Sequence, residues 1–179
     1  MSESKETYLV LQAQAGSEQA FAVLYRSYHA SLLRFAYRLC KNEQLAFDAV
    51  QDAWITIART LEDLYEPSMF RARVFKAVRW RTIDLLRKQT VITVPFDEDT
   101  QVAATSGGVQ WATAGQITAL IARLPEVEQQ AVHLFYLEEL TLSEISAVLD
   151  VPVGTLKSRL NRARAHLKEI IEGEENGND

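Results

Sequence analysis

Residues 141–171 read TLSEISAVLDVPVGTLKSRLNRARAHLKEII, and this stretch decides the fold. Thr141 followed by Glu144 is a capping box ahead of an apolar series at Leu142, Ile145 and Leu149. Asp150-Val151-Pro152 then stops that helix, because proline disfavours the α conformation in the residue before it. The same proline suits the first turn of a second helix, where its missing N–H costs nothing. Leu156, Leu160, Ala163, Leu167 and Ile170 form one stripe on that second helix. Lys157, Ser158, Asn161, Arg164 and Lys168 fall away from the stripe, with Arg162 beside them. One face packs. The other carries forked donors, an amide and point charges, the set that reads guanine and adenine edges and holds phosphates. A polar face alone would mark ordinary surface; the capped helix and tight turn before it make a DNA-binding helix-turn-helix.

Composition bounds the rest. With 179 residues, 47% of them hydrophobic, the chain can bury a real core in one or two domains. Seven glycines and four prolines fit a mostly helical globular protein. No apolar run approaches the roughly 20 residues of a membrane span, and MSESKET at the N-terminus has no signal-peptide pattern. No direct membrane insertion is expected. The single Cys40 permits no internal disulfide and suits the cytoplasm, and with three scattered histidines it gives no metal cluster. No cofactor is expected.

The net charge of −5 conceals two basic islands. Residues 71–88 hold seven basic and one acidic side chain; residues 91–122 hold three acidic and none basic. Local field governs nucleic-acid binding more than the total does.

Along the chain, a short helix over residues 4–15 ends at Gly16, and Ser17 caps a longer one bearing Phe21, Leu24, Tyr28, Leu32, Phe35 and Leu39. Asn42 caps a helix over residues 43–61, whose core stripe is Leu45, Ala49, Ala53 or Trp54, Ile57 and Leu61. Asp48, Gln51, Asp52 and Ile55 lie on another side. Either they are plain solvated surface, or an isoleucine among carboxylates marks a contact face. Ser68 is expected to cap the next helix, residues 70–88, with Phe70, Val74, Val78 and Leu85 inward. Arg73, Phe75, Lys76, Arg79, Trp80 and Arg87 lie elsewhere on it. Rings interleaved with cations suit a single-strand binder, although either ring taken alone more often packs on a neighbouring helix. From residue 89 to about 108 the pattern dissolves into a linker. A helix over residues 111–123 opens the second half. Leu124-Pro125 starts another, with Val127, Ala131, Leu134 and Leu137 inward. The acidic GEENGND ending is expected to be disordered.

These segments, in this order, resemble the extracytoplasmic-function (ECF) sigma factors. Region 2 of that family is similar to AFAVLYRSYHASLLRFAYRL, LAFDAVQDAWITIA and FRARVFKAVRWRTIDLLRK; region 4 is similar to residues 124–167. The resemblance implies an all-α chain of two small helical domains on a flexible linker. The expected division is residues 1–90 for region 2, 91–110 for the linker, 111–172 for region 4 and 173–179 for the tail.

It also implies roles. Asp48, Gln51, Asp52 and Ile55 match the surface that docks on core RNA polymerase. Tyr65, Ser68 and Phe70 match the loop that captures a base flipped from the melted −10 element. Phe75, Lys76, Arg79 and Trp80 match the surface that holds the non-template strand. Lys157, Ser158, Asn161 and Arg162 match the helix that enters the −35 major groove of promoter DNA; Arg164 and Lys168, off the leucine stripe of the same helix, are expected to hold phosphates. An anti-sigma factor is the implied regulatory partner. The alternative is a stand-alone helix-turn-helix regulator, which binds a palindromic duplex without polymerase. An enzyme lacks support: there is no nucleophile–base set and no phosphate loop.

Overall fold

Small polar residues set the helix boundaries of the first half. The computed structural model describes residues 3–92 and 115–176. Within them run α1 (Glu3–Gln14), α2 (Glu18–Cys40), α3 (Glu43–Thr60), α4 (Phe70–Ile92), α5 (Gly115–Ala122), α6 (Glu126–Val132), α7 (Leu142–Leu149) and α8 (Val153–Asn176). A 3-10 turn, Pro67–Met69, leads into α4, and a π turn, His133–Leu137, extends α6. The chain divides into two compact units, Met1–Gly107 and Gly108–Asp179. No strand occurs among the described residues. The fold is the expected all-α class with two helical units.

In the first unit, Gly16 adopts φ 91° and ends α1, a conformation that glycine adopts without strain. Ser17 Oγ then accepts the Ala20 N–H at 3.2 Å. Asn42 Oδ1 accepts the Leu45 N–H at 2.9 Å and starts α3. Each such cap stabilises its helix by about 1 kcal/mol. The core is built from Leu24, Leu32 and Phe35 of α2, the expected stripe of α3 with both Ala53 and Trp54 inside, and Phe70, Val74, Phe75 and Val78 of α4. Phe35 and Phe75 meet edge to face at 5.5 Å. Helix α4 packs against both α2 and α3, which buries it from two sides. Helix α1 lies on α2, anchored by wholly buried Val10 and by a hydrogen bond from the Tyr28 hydroxyl to Glu6.

Two expectations change here. Ser68 does not cap α4; it lies inside the 3-10 turn, where its hydroxyl donates to Glu66 Oε1 at 3.0 Å, while the Pro67 carbonyl takes the Phe70 N–H. Helix α4 also continues past residue 90 to Ile92, since no helix breaker precedes Pro95. Most of the expected linker, residues 93–110, lies outside the described residues.

In the second unit, the capping box forms: Glu144 N–H donates to Thr141 Oγ1 at 3.3 Å and Thr141 N–H to Glu144 Oε2 at 2.7 Å. Asp150 at φ 53° closes α7. The Pro152 carbonyl then accepts the Leu156 N–H at 3.0 Å, opening α8. Ile145, Val148 and Leu149 are buried, as are Leu156, Leu160 and Ala163, where α7 packs on α8. The expected inward stripe of α6 is corrected at Val127, which is exposed; Ala131 and Leu134 are buried. Glu128 turns inward instead, to meet α8, and the π turn shifts the register beyond it. The helix expected over residues 111–123 is described from Gly115 onward. Helix α8 runs to Asn176, so residues 173–176 are helical rather than a disordered tail. Residues 177–179 lie outside the described ones.

Candidate nucleic-acid and partner interfaces

The buried stripe of α8 fixes which side chains remain outside. Lys157, Ser158, Asn161, Arg162, Arg164 and Lys168 are all exposed. Arg164 is pre-oriented: its Nε donates to the Tyr136 hydroxyl at 2.9 Å and its Nη1 to Asn161 Oδ1 at 3.1 Å. Ser158 Oγ donates to the Gly154 carbonyl at 3.1 Å, and Lys168 pairs with Glu172 at 3.5 Å. Arg162 Nε lies 3.6 Å from Glu128 Oε1, and His166 Nδ1 lies 2.7 Å from Glu128 Oε2. A buried carboxylate therefore ties two successive turns of α8 to α6. Sequence reasoning missed Glu128, His166 and Tyr136, because contacts across 28 to 38 residues leave no local pattern. Arginine forks, an amide and a lysine on one convex helix face suit a major groove.

Helix α4 presents a narrower surface. Lys76 and Trp80 are exposed and Arg79 is half-buried, a ridge at i, i+3 and i+4. Trp80 is 65% exposed. Two expected −10 contacts are corrected, one from the base-capture loop and one from the strand-holding surface. Phe70 and Phe75 are both 0% exposed; packing against α2 and α3 consumes them, so neither ring can stack on a base. Arg73 likewise turns inward, its Nη2 donating to the Thr60 carbonyl at 2.9 Å. Tyr65, by contrast, stands fully exposed before the 3-10 turn, and Ser68 is half-buried within it.

On α3, Asp48 and Gln51 are exposed and Ile55 is 42% exposed. Phe47, missed from the sequence, is 38% exposed and continues the row one turn before Gln51 and two before Ile55. Asp52 sits differently. Its carboxylate pairs with Arg81 of α4, at 2.5 Å from Nη2 and 2.7 Å from Nε. Arg81 also holds Asp84 at 2.7 Å, and Asp84 holds Lys88 at 2.9 Å. The hydrogen bond that Arg81 donates to the Asp52 carboxylate pushes the Arg81 pKa above its ordinary value. Lys88 first, and Arg81 after it, hold the Asp84 carboxyl below its ordinary value. Asp52 is thus an α3–α4 tie as well as a member of the exposed acidic face.

Comparison with known proteins agrees with this geometry. Residues 24–91 match the family described as Sigma-70 region 2, and residues 114–167 match Sigma-70, region 4. The chain is 26% identical to the ECF RNA polymerase sigma factor SigW of Bacillus subtilis (strain 168) over 179 residues, covering 90% of this chain and 94% of the relative. It is 28% identical to SigM of Mycobacterium tuberculosis (strain ATCC 25618 / H37Rv), over 94% of this chain and 86% of the other. Its fold is similar to that of CnrH, solved in complex with the cytosolic domain of CnrY, with a TM-score of 0.66 at 20% identity over 94% of this chain and 98% of the other. It is similar also to RpoE from Bartonella quintana, solved with the anti-sigma factor NepR, with a TM-score of 0.63 at 22% identity over 85% and 96%.

Proposed function

Because the chain belongs to the sigma-70 family, in its extracytoplasmic-function group, we propose that it is the dissociable specificity subunit of a bacterial RNA polymerase and catalyses no reaction itself. The division is residues 1–90 as region 2, 91–110 as the linker and 111–172 as region 4, with α4 running on to Ile92. The exposed face of α8, from Lys157 to Lys168, enters the −35 major groove: Lys157, Ser158, Asn161 and Arg162 read bases, and Arg164 and Lys168 hold phosphates. The ridge Lys76, Arg79 and Trp80, together with Tyr65 and Ser68, holds the unpaired −10 strand by stacking and charge. Asp48, Gln51, Asp52 and Ile55 dock on core polymerase, joined by Phe47.

The single observation that carries this reading is the polar arc of α8, fully exposed above a wholly buried Leu156–Leu160–Ala163 stripe. Among the described residues no helix is long and apolar enough to cross a membrane, which is compatible with work in the cytoplasm. A regulatory partner is inferred from the relatives: CnrH and RpoE were each solved with a second protein, in the latter case an anti-sigma factor. Such a partner would cover the same α3 and α4 faces as polymerase. The stand-alone regulator is not favoured, because the two halves match regions 2 and 4 of one family. Reconstitution tests the proposal: core polymerase plus this chain should start transcripts at a defined site, and core alone should not. Undirected initiation with the chain present would refute it.

A further inference from the structure

Helix α1 precedes the segment that matches region 2, which begins at residue 24, yet it packs on the 3-10 turn that leads into α4. Gln14 is its last residue. The Gln14 Nε2 donates to two backbone carbonyls nearly 50 residues away, Leu61 at 3.0 Å and Leu64 at 2.8 Å. An amide nitrogen carries two hydrogens, and here each has an acceptor. Leu61 closes α3 and Leu64 is two residues before Glu66. The first of these carbonyls also takes the Leu64 N–H, at 3.1 Å. The residue before Leu61 is held as well, the Arg73 guanidinium donating to the Thr60 carbonyl at 2.9 Å.

Tyr65 comes directly after Leu64 and stands at 102% relative exposure. The Leu64 carbonyl and the Tyr65 nitrogen share one planar peptide group. A donor on that carbonyl therefore fixes the plane from which the tyrosine leaves the backbone. At that exposure no neighbouring side chain covers the Tyr65 ring, which projects from the surface. Helix α1 is stiff enough to serve as the strut: Val10 is wholly buried, and Glu6 is held by the Tyr28 hydroxyl.

We propose that Gln14 is a positioning residue for base capture, acting through the Leu64–Tyr65 peptide to aim Tyr65 and the adjoining 3-10 turn at an unpaired −10 base. The inference rests on the reading of that loop as a single-strand contact. It assigns α1 a role in promoter selectivity, beyond packing on α2. Neither its side chain nor its backbone touches DNA; the effect passes through hydrogen-bond geometry, so it depends on donors at position 14 rather than on size.

The test uses the full chain assembled with core polymerase. A fluorescent −10 non-template oligonucleotide gives affinity, and a panel substituted base by base gives the preference profile. Gln14→Leu should weaken the single strand about five- to tenfold, as expected for one or two lost hydrogen bonds, and should flatten the profile at one position. Gln14→Glu, which sets a carboxylate against two carbonyls, should do at least as much. Gln14→Lys restores donors and should recover both affinity and profile. Affinity for −35 duplex should not move in any of them. Should Gln14→Leu fail to fold, Gln14→Glu against Gln14→Lys carries the same comparison. A folded Gln14→Leu or Gln14→Glu with the parental profile overturns the inference. Tyr65→Ala separates the two levels. If it flattens the profile while the Gln14 variants do not, only the positioning role falls; if it too changes nothing, the base-capture reading falls with it.

Discussion

Helices α8 and α4 are nearly equal in length, at 24 and 23 residues, and both carry basic clusters, but they face solvent in different proportions. Helix α8 packs along one stripe, so a broad polar arc is left over. Helix α4 packs against α2 and α3 together, and ahead of its exposed end at Arg87 the basic surface narrows to a ridge of Lys76, Arg79 and Trp80. A broad convex arc fits a duplex groove. A narrow ridge with one exposed ring fits a single strand laid along it. The contrast teaches that the width of the face a helix buries, more than its charge, sets the shape of nucleic acid it can hold.

The contrast breaks most visibly at the two rings of α4. Phe75→Ala empties a wholly buried site and should lower stability by about 3–5 kcal/mol, read by urea unfolding. Trp80→Ala, at an exposed site, should change stability by less than about 0.5 kcal/mol while weakening single-strand binding. Equal stability losses at both positions would mean that the ridge is core.

Next in size is docking. Asp48→Arg reverses an exposed charge and should cost core polymerase binding on the order of 2–3 kcal/mol, seen as loss of co-purification with the melting curve unchanged. Asp52→Arg should do this and destabilise the first unit as well, because it also breaks the pair with Arg81. Variants that behave alike would erase the distinction between a surface and a structural carboxylate.

On α8, Asn161→Ala should alter which −35 bases are tolerated, by about 1–3 kcal/mol at one position. Lys168→Ala should weaken all promoters alike and reduce the salt dependence. A uniform response to Asn161→Ala across a −35 panel would remove its base-reading role.

The smallest effect belongs to the first unit alone. Burial pushes the His29 pKa below its ordinary 6.5, and the ring stacks on Tyr25 at 4.7 Å. The unfolded chain therefore binds the proton more readily than the folded one. This stability is present above pH 6.5 and is lost as pH falls below that value toward the folded pKa. His29→Phe keeps a ring and should flatten the slope of the urea midpoint between pH 7 and pH 5; an unchanged slope would acquit His29.

The second unit was the more legible in sequence. Capping box, proline break and leucine spacing all act within a few residues, and α7 and the first turns of α8 obey them. The same local logic placed Ser17 and Asn42 at their caps. It could not decide between two aromatic neighbours on α4, since periodicity does not tell how many partners a helix has; Phe75 went inside and Trp80 stayed out. Ser68 looked like a cap, but Pro67 had already begun a tighter turn. The ties Asp52–Arg81, Glu128–His166 and Gln14–Leu64 cross 29, 38 and 50 residues, and long-range pairs of this kind leave no trace in a window of one helix.

Site-specific photocrosslinking in a promoter complex addresses the central claim most directly. A benzophenone side chain replaces Asn161 in one preparation and Trp80 in another, each assembled with core polymerase on the same open promoter. The account predicts that position 161 crosslinks to duplex DNA at −35 and position 80 to the unpaired non-template strand near −10. Crosslinks from both positions to the same duplex segment, or from position 80 only to protein, would contradict it.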